Sequence, residues 1–154
     1  MKLISYVSSL CLLLLFGCLT PDTQAPAPES FAVFKNLDSQ VVTKAVSAEG
    51  LVYRVRYEKQ DPTADAGFWR EALTRKLERD GYLILKSEDR TVGGGPGGMV
   101  HAVAPLAGGD FGFIVAFTPV DNYILIAESA GTRPELERAT VGIVAAIDQI
   151  KVDR

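Results

Sequence analysis

The chain reads as an α+β domain, a central antiparallel β-sheet flanked by two main helices. Three observations predict this class. In residues 51–58, Leu51, Tyr53, Val55 and Tyr57 alternate with Val52, Arg54, Arg56 and Glu58. That is the period of two of a strand with one dry and one wet face. Two other segments, after Asp65 and after Thr132, carry apolar residues at helical spacing. Between and around them lie short apolar runs rich in β-formers and separated by turn residues, the pattern of hairpins.

Taken in order, residues 31–34 and 41–46 are short strands. The turn Ala48-Glu49-Gly50 leads into the alternating strand. The first helix has Asp65 as N-cap and Gly81 where a C-terminal glycine belongs. Phe68, Trp69, Ala72, Leu73 and Leu77 form its apolar face; Arg70, Glu71, Arg75, Glu78 and Arg79 take the other side. Glu71 and Arg75 are spaced for a surface ion pair. Residues 82–87 read as a buried strand, and 99–104, 111–117 and 123–128 as three more. Ala107-Gly108-Gly109-Asp110 and the segment from Thr118 to Asn122 turn one strand into the next. Thr132-Arg133-Pro134-Glu135 fits a capping box with proline in the first turn. Leu136, Ala139, Ile143, Val144, Ile147 and Ile150 then make the stripe that should lie along the sheet.

The chain has 154 residues, a formal net charge of −3, one His and two Cys. That length suits one domain. The acidic balance argues against nucleic acid, which selects a basic footprint. The His and Cys counts are too low for a Cys/His zinc site or a disulfide scaffold. Residues 1–17 carry Lys2 as their single charge and a wholly apolar run from Leu10 to Phe16. A cationic start and a short apolar core describe a secretory signal. The run is too short to span a bilayer, which takes about 20 residues.

Leu15, Gly17 and Cys18 resemble the lipobox of bacterial lipoproteins, with Phe16 standing where that motif has a small residue. The resemblance implies acylation of Cys18, and paired acyl chains anchor stably where one does not. Residues 18–30 then hold the lipidated Cys and a Pro-rich tether, and 31–154 the single domain. Losing residues 1–17 removes Cys11, so Cys18 becomes the last cysteine. The implied location is the cell envelope: the periplasmic face of the outer membrane in a Gram-negative host, otherwise the outer face of the plasma membrane.

A broader resemblance covers residues 44–150. Its carriers are the helix end Lys76-Leu77-Glu78-Arg79-Asp80-Gly81-Tyr82, the hairpin strands around Phe113–Phe117 and Tyr123–Ile126, and the step Glu128-Ser129-Ala130-Gly131 into a closing helix. These resemble the PsbP-like domains, a group that includes the envelope lipoprotein family DcrB. The resemblance implies an α/β/α sandwich and a non-enzymatic accessory or assembly role, with no catalytic set to carry across.

The run Gly93, Gly94, Gly95, Pro96, Gly97 and Gly98 lacks the Lys-Ser/Thr and helix of a phosphate loop. It reads as a flexible strand connection, or as a mobile loop beside a ligand groove. His101 has no nucleophile or ligand set around it in sequence and reads as structural. Glu88, Asp89, Asp61 and Asp65 neighbour Arg90 and Lys59 and read as solvated loop carboxylates. Trp69 shares a stripe with Leu73 and Leu77 and reads as core. Arg54 and Arg56 project from one strand face and, with Lys59, form a small basic patch. It reads first as the wet side of the sheet or as cations held by carboxylate partners, and otherwise as a surface for an acidic partner, an anionic lipid or a ligand. The function expected is an exported, lipid-anchored binding protein with an envelope protein partner and no cofactor, catalysis or nucleic acid. The alternative is a small-ligand carrier with its groove at the glycine run.

Overall fold

The computed structural model describes residues 20–153; the signal segment 1–17 and Cys18 lie outside the described residues. The elements are β1 (Thr23–Gln24), β2 (Phe31–Val33), β3 (Val41–Ser47), β4 (Val52–Lys59), α1 (Ala66–Arg79), β5 (Leu83–Val92), β6 (Gly95–Ala104), β7 (Phe111–Val120), β8 (Tyr123–Thr132), α2 (Arg133–Asp148) and β9 (Lys151–Val152). Seven strands form one antiparallel sheet in the order β2-β3-β4-β8-β7-β6-β5, and β1 pairs with β9 beside it.

The alternation in β4 sorts its residues onto two faces. Tyr53, Val55 and Tyr57 are buried with Ile114, Ala116, Leu125 and Ala127 under Leu136, Ile143 and Ile147 of α2. The intervening residues of the central strands turn to the other face, where Val100, Ala102 and Val115 meet Leu77 of α1. The two helices therefore sandwich the sheet. They do not cover it equally. α1 lies over β5, β6 and β7, and among the described residues no helix covers β4, at the other side of β8, on that face.

The helix ends follow ordinary capping physics. Asp65 accepts a hydrogen bond from the Phe68 N–H at 2.8 Å. The expected capping box at Thr132 does not form: its side chain makes no cap hydrogen bond, and Glu135 pairs with Arg138. The β6–β7 loop holds that helix end instead. The Asp110 carbonyl accepts from the Arg133 N–H at 2.9 Å, and the Asp110 carboxylate takes the Arg133 guanidinium at 3.3 Å.

Three expectations are corrected. The segment read as a buried strand at 82–87 is the start of β5, the edge of the sheet, and Leu83 and Leu85 are 60% and 57% exposed. Thr118, Pro119 and Val120 belong to β7, which turns into β8 at Asp121 with a φ of 50°. The described part of the expected tether is docked: the Thr23 hydroxyl meets the Tyr57 hydroxyl at 2.5 Å, and Thr43 donates to the Ala25 carbonyl at 2.5 Å. Ala25 and Ala27 pack against the main core, which holds this stretch on the domain.

Candidate functional site

The incomplete cover of the sheet leaves a groove of about 620 Å³ along one flank of α1. Its helix wall includes Trp69, Leu73 and Leu77; its floor includes Phe113, Val115, Phe117, Ile124 and Ile126 from β7 and β8. That size falls within the range of ligand and peptide sites, roughly 300–1,000 Å³. The rim is polar, with Arg56, Glu58, Lys59, Lys76, Arg79, Asp80 and Glu128.

The spacing of α1 explains why the groove exists. Its stripe is apolar as expected, yet only Leu77 is fully buried, and Phe68 is 48% exposed. Trp69, expected in the core, is half-buried and forms a groove wall. Its indole N–H donates to Gln60 Oε1 at 2.8 Å. Gln60 is itself buried. Its amide donates to the Asp121 and Tyr123 carbonyls at 3.0 and 2.7 Å, and its Oε1 also accepts from the Ala64 N–H at 3.2 Å. One glutamine thus pins the start of α1 to the β7–β8 turn. Nothing in the local sequence singled it out; a polar residue ending an alternating strand was the available signal.

Arg54 and Arg56 do share a face, but they do not form a bare basic patch. Arg54 Nε donates to Glu128 Oε1 at 2.7 Å, and its NH2 reaches the same oxygen. Arg56 Nε lies 3.5 Å from that oxygen, and Arg56 also pairs with Glu58. The β4–β8 register sets Arg54 opposite Glu128, which is why the ladder forms. The Glu128 side chain is only 15% exposed, so its charge requires these guanidiniums. Two cations near this ladder remain unspent. Among the described residues, Lys59 and Arg79 on the groove rim have no carboxylate partner, whereas Lys76 pairs with Asp80 at 2.6 Å.

The glycine run is a correction. Gly93 and Gly94, with φ of 58° and 77°, are the two-residue turn of the β5–β6 hairpin. Gly95, Pro96, Gly97 and Gly98 are strand residues of β6, not a loop. A Cβ on Gly98 would sit 2.8 Å from the Phe117 ring, and one on Gly97 would strike the Phe117 carbonyl. Glycine is needed there for close approach of strands and not for mobility. Gly93 faces Val152 of β9, whose methyl would be 2.6 Å from an added Cβ.

The remaining candidates are dispersed. His101 is half-buried on the α2 side with Nε2 3.1 Å from Met99 Sδ. Burial chiefly holds its pKa below the usual value, with help from the Lys86 charge. Glu88 and Asp89 stand on β5, not on a loop, and pair with Lys86 at 2.8 Å and Arg70 at 2.5 Å. Asp65 is the α1 cap, and Asp61 is exposed ahead of that helix. Among the described residues no group of His, Cys, Asp and Glu could hold a metal ion, and no helix is long and apolar enough to cross a membrane.

No family model and no curated protein matches the chain. Solved structures do. LpqN of Mycobacterium tuberculosis, described as involved in cell envelope biogenesis, superposes with a TM-score of 0.71 at 10% identity, over 91% of this chain and 88% of LpqN. The cyanobacterial PsbP of Synechocystis gives 0.58 at 7% identity, over 90% and 95%. The Ran-binding protein Mog1p of Saccharomyces cerevisiae gives 0.55 at 10% identity, over 82% and 84%. At such identities the common property is the architecture, and on it this chain has a PsbP-like α+β fold.

Proposed function

We propose that this chain is an exported envelope lipoprotein, anchored through Cys18, whose domain binds a protein partner without catalysing a reaction. The observation that carries the binding reading is the groove beside α1, with its apolar floor and two rim cations, Lys59 and Arg79, that have no carboxylate partner among the described residues. The occupant it fits is an amphipathic segment with an apolar face and flanking acidic side chains. Such a segment would cover Leu73, Ile126 and Phe113 and offer carboxylates to the rim. The described involvement of LpqN in envelope biogenesis and the partner binding of Mog1p agree with a binding role on this fold. The leader and lipobox pattern supports the envelope location.

Docking of β1 refines the anchored arrangement. Thr23 is already held by β9, so residues 19–22 alone link it to Cys18. A run that short spans at most about 18 Å, so anchoring through Cys18 would keep the domain close to the lipid surface.

The test is capture of the mature protein from its own envelope, with and without Lys59→Glu/Arg79→Glu. The reading expects a discrete co-purifying protein that this double variant loses with its melting temperature unchanged. Equal recovery with both forms would contradict it. Labelled palmitate should enter the wild type and be absent from Cys18→Ser.

A further inference from the structure

The far edge of the sheet carries a second surface. β5 is a ten-residue terminal strand, and no other described strand pairs with its outer edge. An open row of N–H and C=O groups templates pairing, and proteins usually blunt such edges by shortness, bulges or charge. Here the single bulge lies between Ile84 and Lys86, at the start of the strand, and the exposed Leu83 and Leu85 sit beside it. The strand's charges, Lys86, Glu88, Asp89 and Arg90, are balanced in sign, so they repel a generic edge less than they select a register.

The hairpin fixes which backbone groups point outward. Its two-residue turn makes Val92 and Gly95 the closing pair. Hydrogen-bonded pairs then alternate along the ladder. Arg90 and Glu88 direct their carbonyls toward β6, against Gly97 and Gly98. Ser87, Asp89 and Thr91 therefore present their N–H and C=O groups to solvent.

We propose that β5 pairs antiparallel with β5 of a second copy of this chain, about a two-fold axis at Ser87. The phase of the outward groups permits an axis only at a residue of this strand, and charge selects which. An axis at Glu88 sets Glu88 against itself and Lys86 against Arg90. An axis at Asp89 sets Glu88 opposite Arg90, but it faces Asp89 with its own copy and draws on an Arg90 already held by Asp148; an axis at Arg90 faces Arg90 with its own copy. An axis at Ser87 sets Lys86 opposite Glu88 of the second copy, and repeats that contact by symmetry. Opposite charges facing across strands stabilise a pair and like charges weaken it. Each seven-stranded sheet thereby continues into the other, and Leu85 gains cover from the neighbouring strand.

The prediction is a charge-swap experiment on the mature protein, read by sedimentation across a concentration series. Lys86→Glu and Glu88→Lys each place two like-charge contacts in the interface and should weaken the dimer about tenfold. The double swap, Lys86→Glu/Glu88→Lys, should restore wild-type affinity. Melting temperatures taken at dilutions where the monomer predominates should not move, because the in-chain Lys86–Glu88 pair is exposed. Ser87→Cys should crosslink to itself with a short bismaleimide where the wild type does not. A wild type that sediments as a monomer throughout overturns the proposal. So does a dimer indifferent to the single swaps, or single-swap losses that the double swap does not repair, which is the result a foreign strand on β5 would give.

Discussion

The two faces of the sheet are built from the same strands and serve different ends. On the α2 face, Tyr53, Val55 and Tyr57 of β4 disappear under Ile143 and Ile147. On the α1 face, the alternate residues Arg54 and Arg56 of the same strand hold Glu128 in an ion ladder beside an open groove. A strand commits its two faces independently, because successive side chains point opposite ways. One face can therefore supply the stability while the other keeps apolar surface available for binding.

The covered face should be the more sensitive of the two. Ile147→Ala removes a fully buried side chain beneath α2 and should cost about 2–5 kcal/mol in urea unfolding. Leu73→Ala, on the half-covered wall of the groove, should cost clearly less. Equal losses would mean that both faces are equally closed. Next comes Gly97→Ala, whose methyl would collide with the Phe117 backbone; overpacking of that kind costs roughly 1–3 kcal/mol. A flexible loop at this position would tolerate it, so an unchanged melting temperature would refute the strand assignment.

Glu128→Gln tests the ladder. Replacing the charge that Arg54 and Arg56 share should cost about 1 kcal/mol, given the partial exposure of Arg54, and should lessen the salt dependence of stability. Tyr53→Phe should be neutral or slightly stabilising. The Tyr53 hydroxyl is buried, has no hydrogen-bond partner among the described residues, and has its pKa pushed up by burial. Removing an unsatisfied buried hydroxyl relieves a desolvation cost. The smallest effect belongs to His101. Its folded pKa lies below the ordinary 6.5, so the unfolded chain takes up the proton first. Stability should decline as pH falls below that value, and His101→Gln should flatten this part of the profile.

Much of the fold was legible in local pattern. The alternation at Tyr53, Val55 and Tyr57 marks a dry face directly, and Asp65 caps α1 through a contact three residues away. What was not legible depends on neighbours distant in sequence. The apolar run at Leu83 and Leu85 resembles a core strand, but strand order makes it an edge. Gly97 and Gly98 resemble a loop by composition, but Phe117 across the ladder occupies the space a side chain would need. Arg54 and Arg56 were found as a pair; the carboxylate between them lies 74 residues from Arg54, and only the β4–β8 register brings it there. Gln60 showed only as a polar residue ending an alternating strand, since its role is set by the Asp121 and Tyr123 carbonyls, the Ala64 N–H and the Trp69 indole that meet around it.

The unequal use of the two faces is tested most directly by photocrosslinking in the intact envelope. A photoreactive residue replaces Lys59 on the groove rim in one strain, and Val141, 82% exposed on the outer side of α2, in another. The account predicts a discrete protein adduct from position 59 that Arg79→Glu abolishes, and none from position 141. Adducts from position 141 alone, or adducts at position 59 that ignore Arg79→Glu, would contradict it.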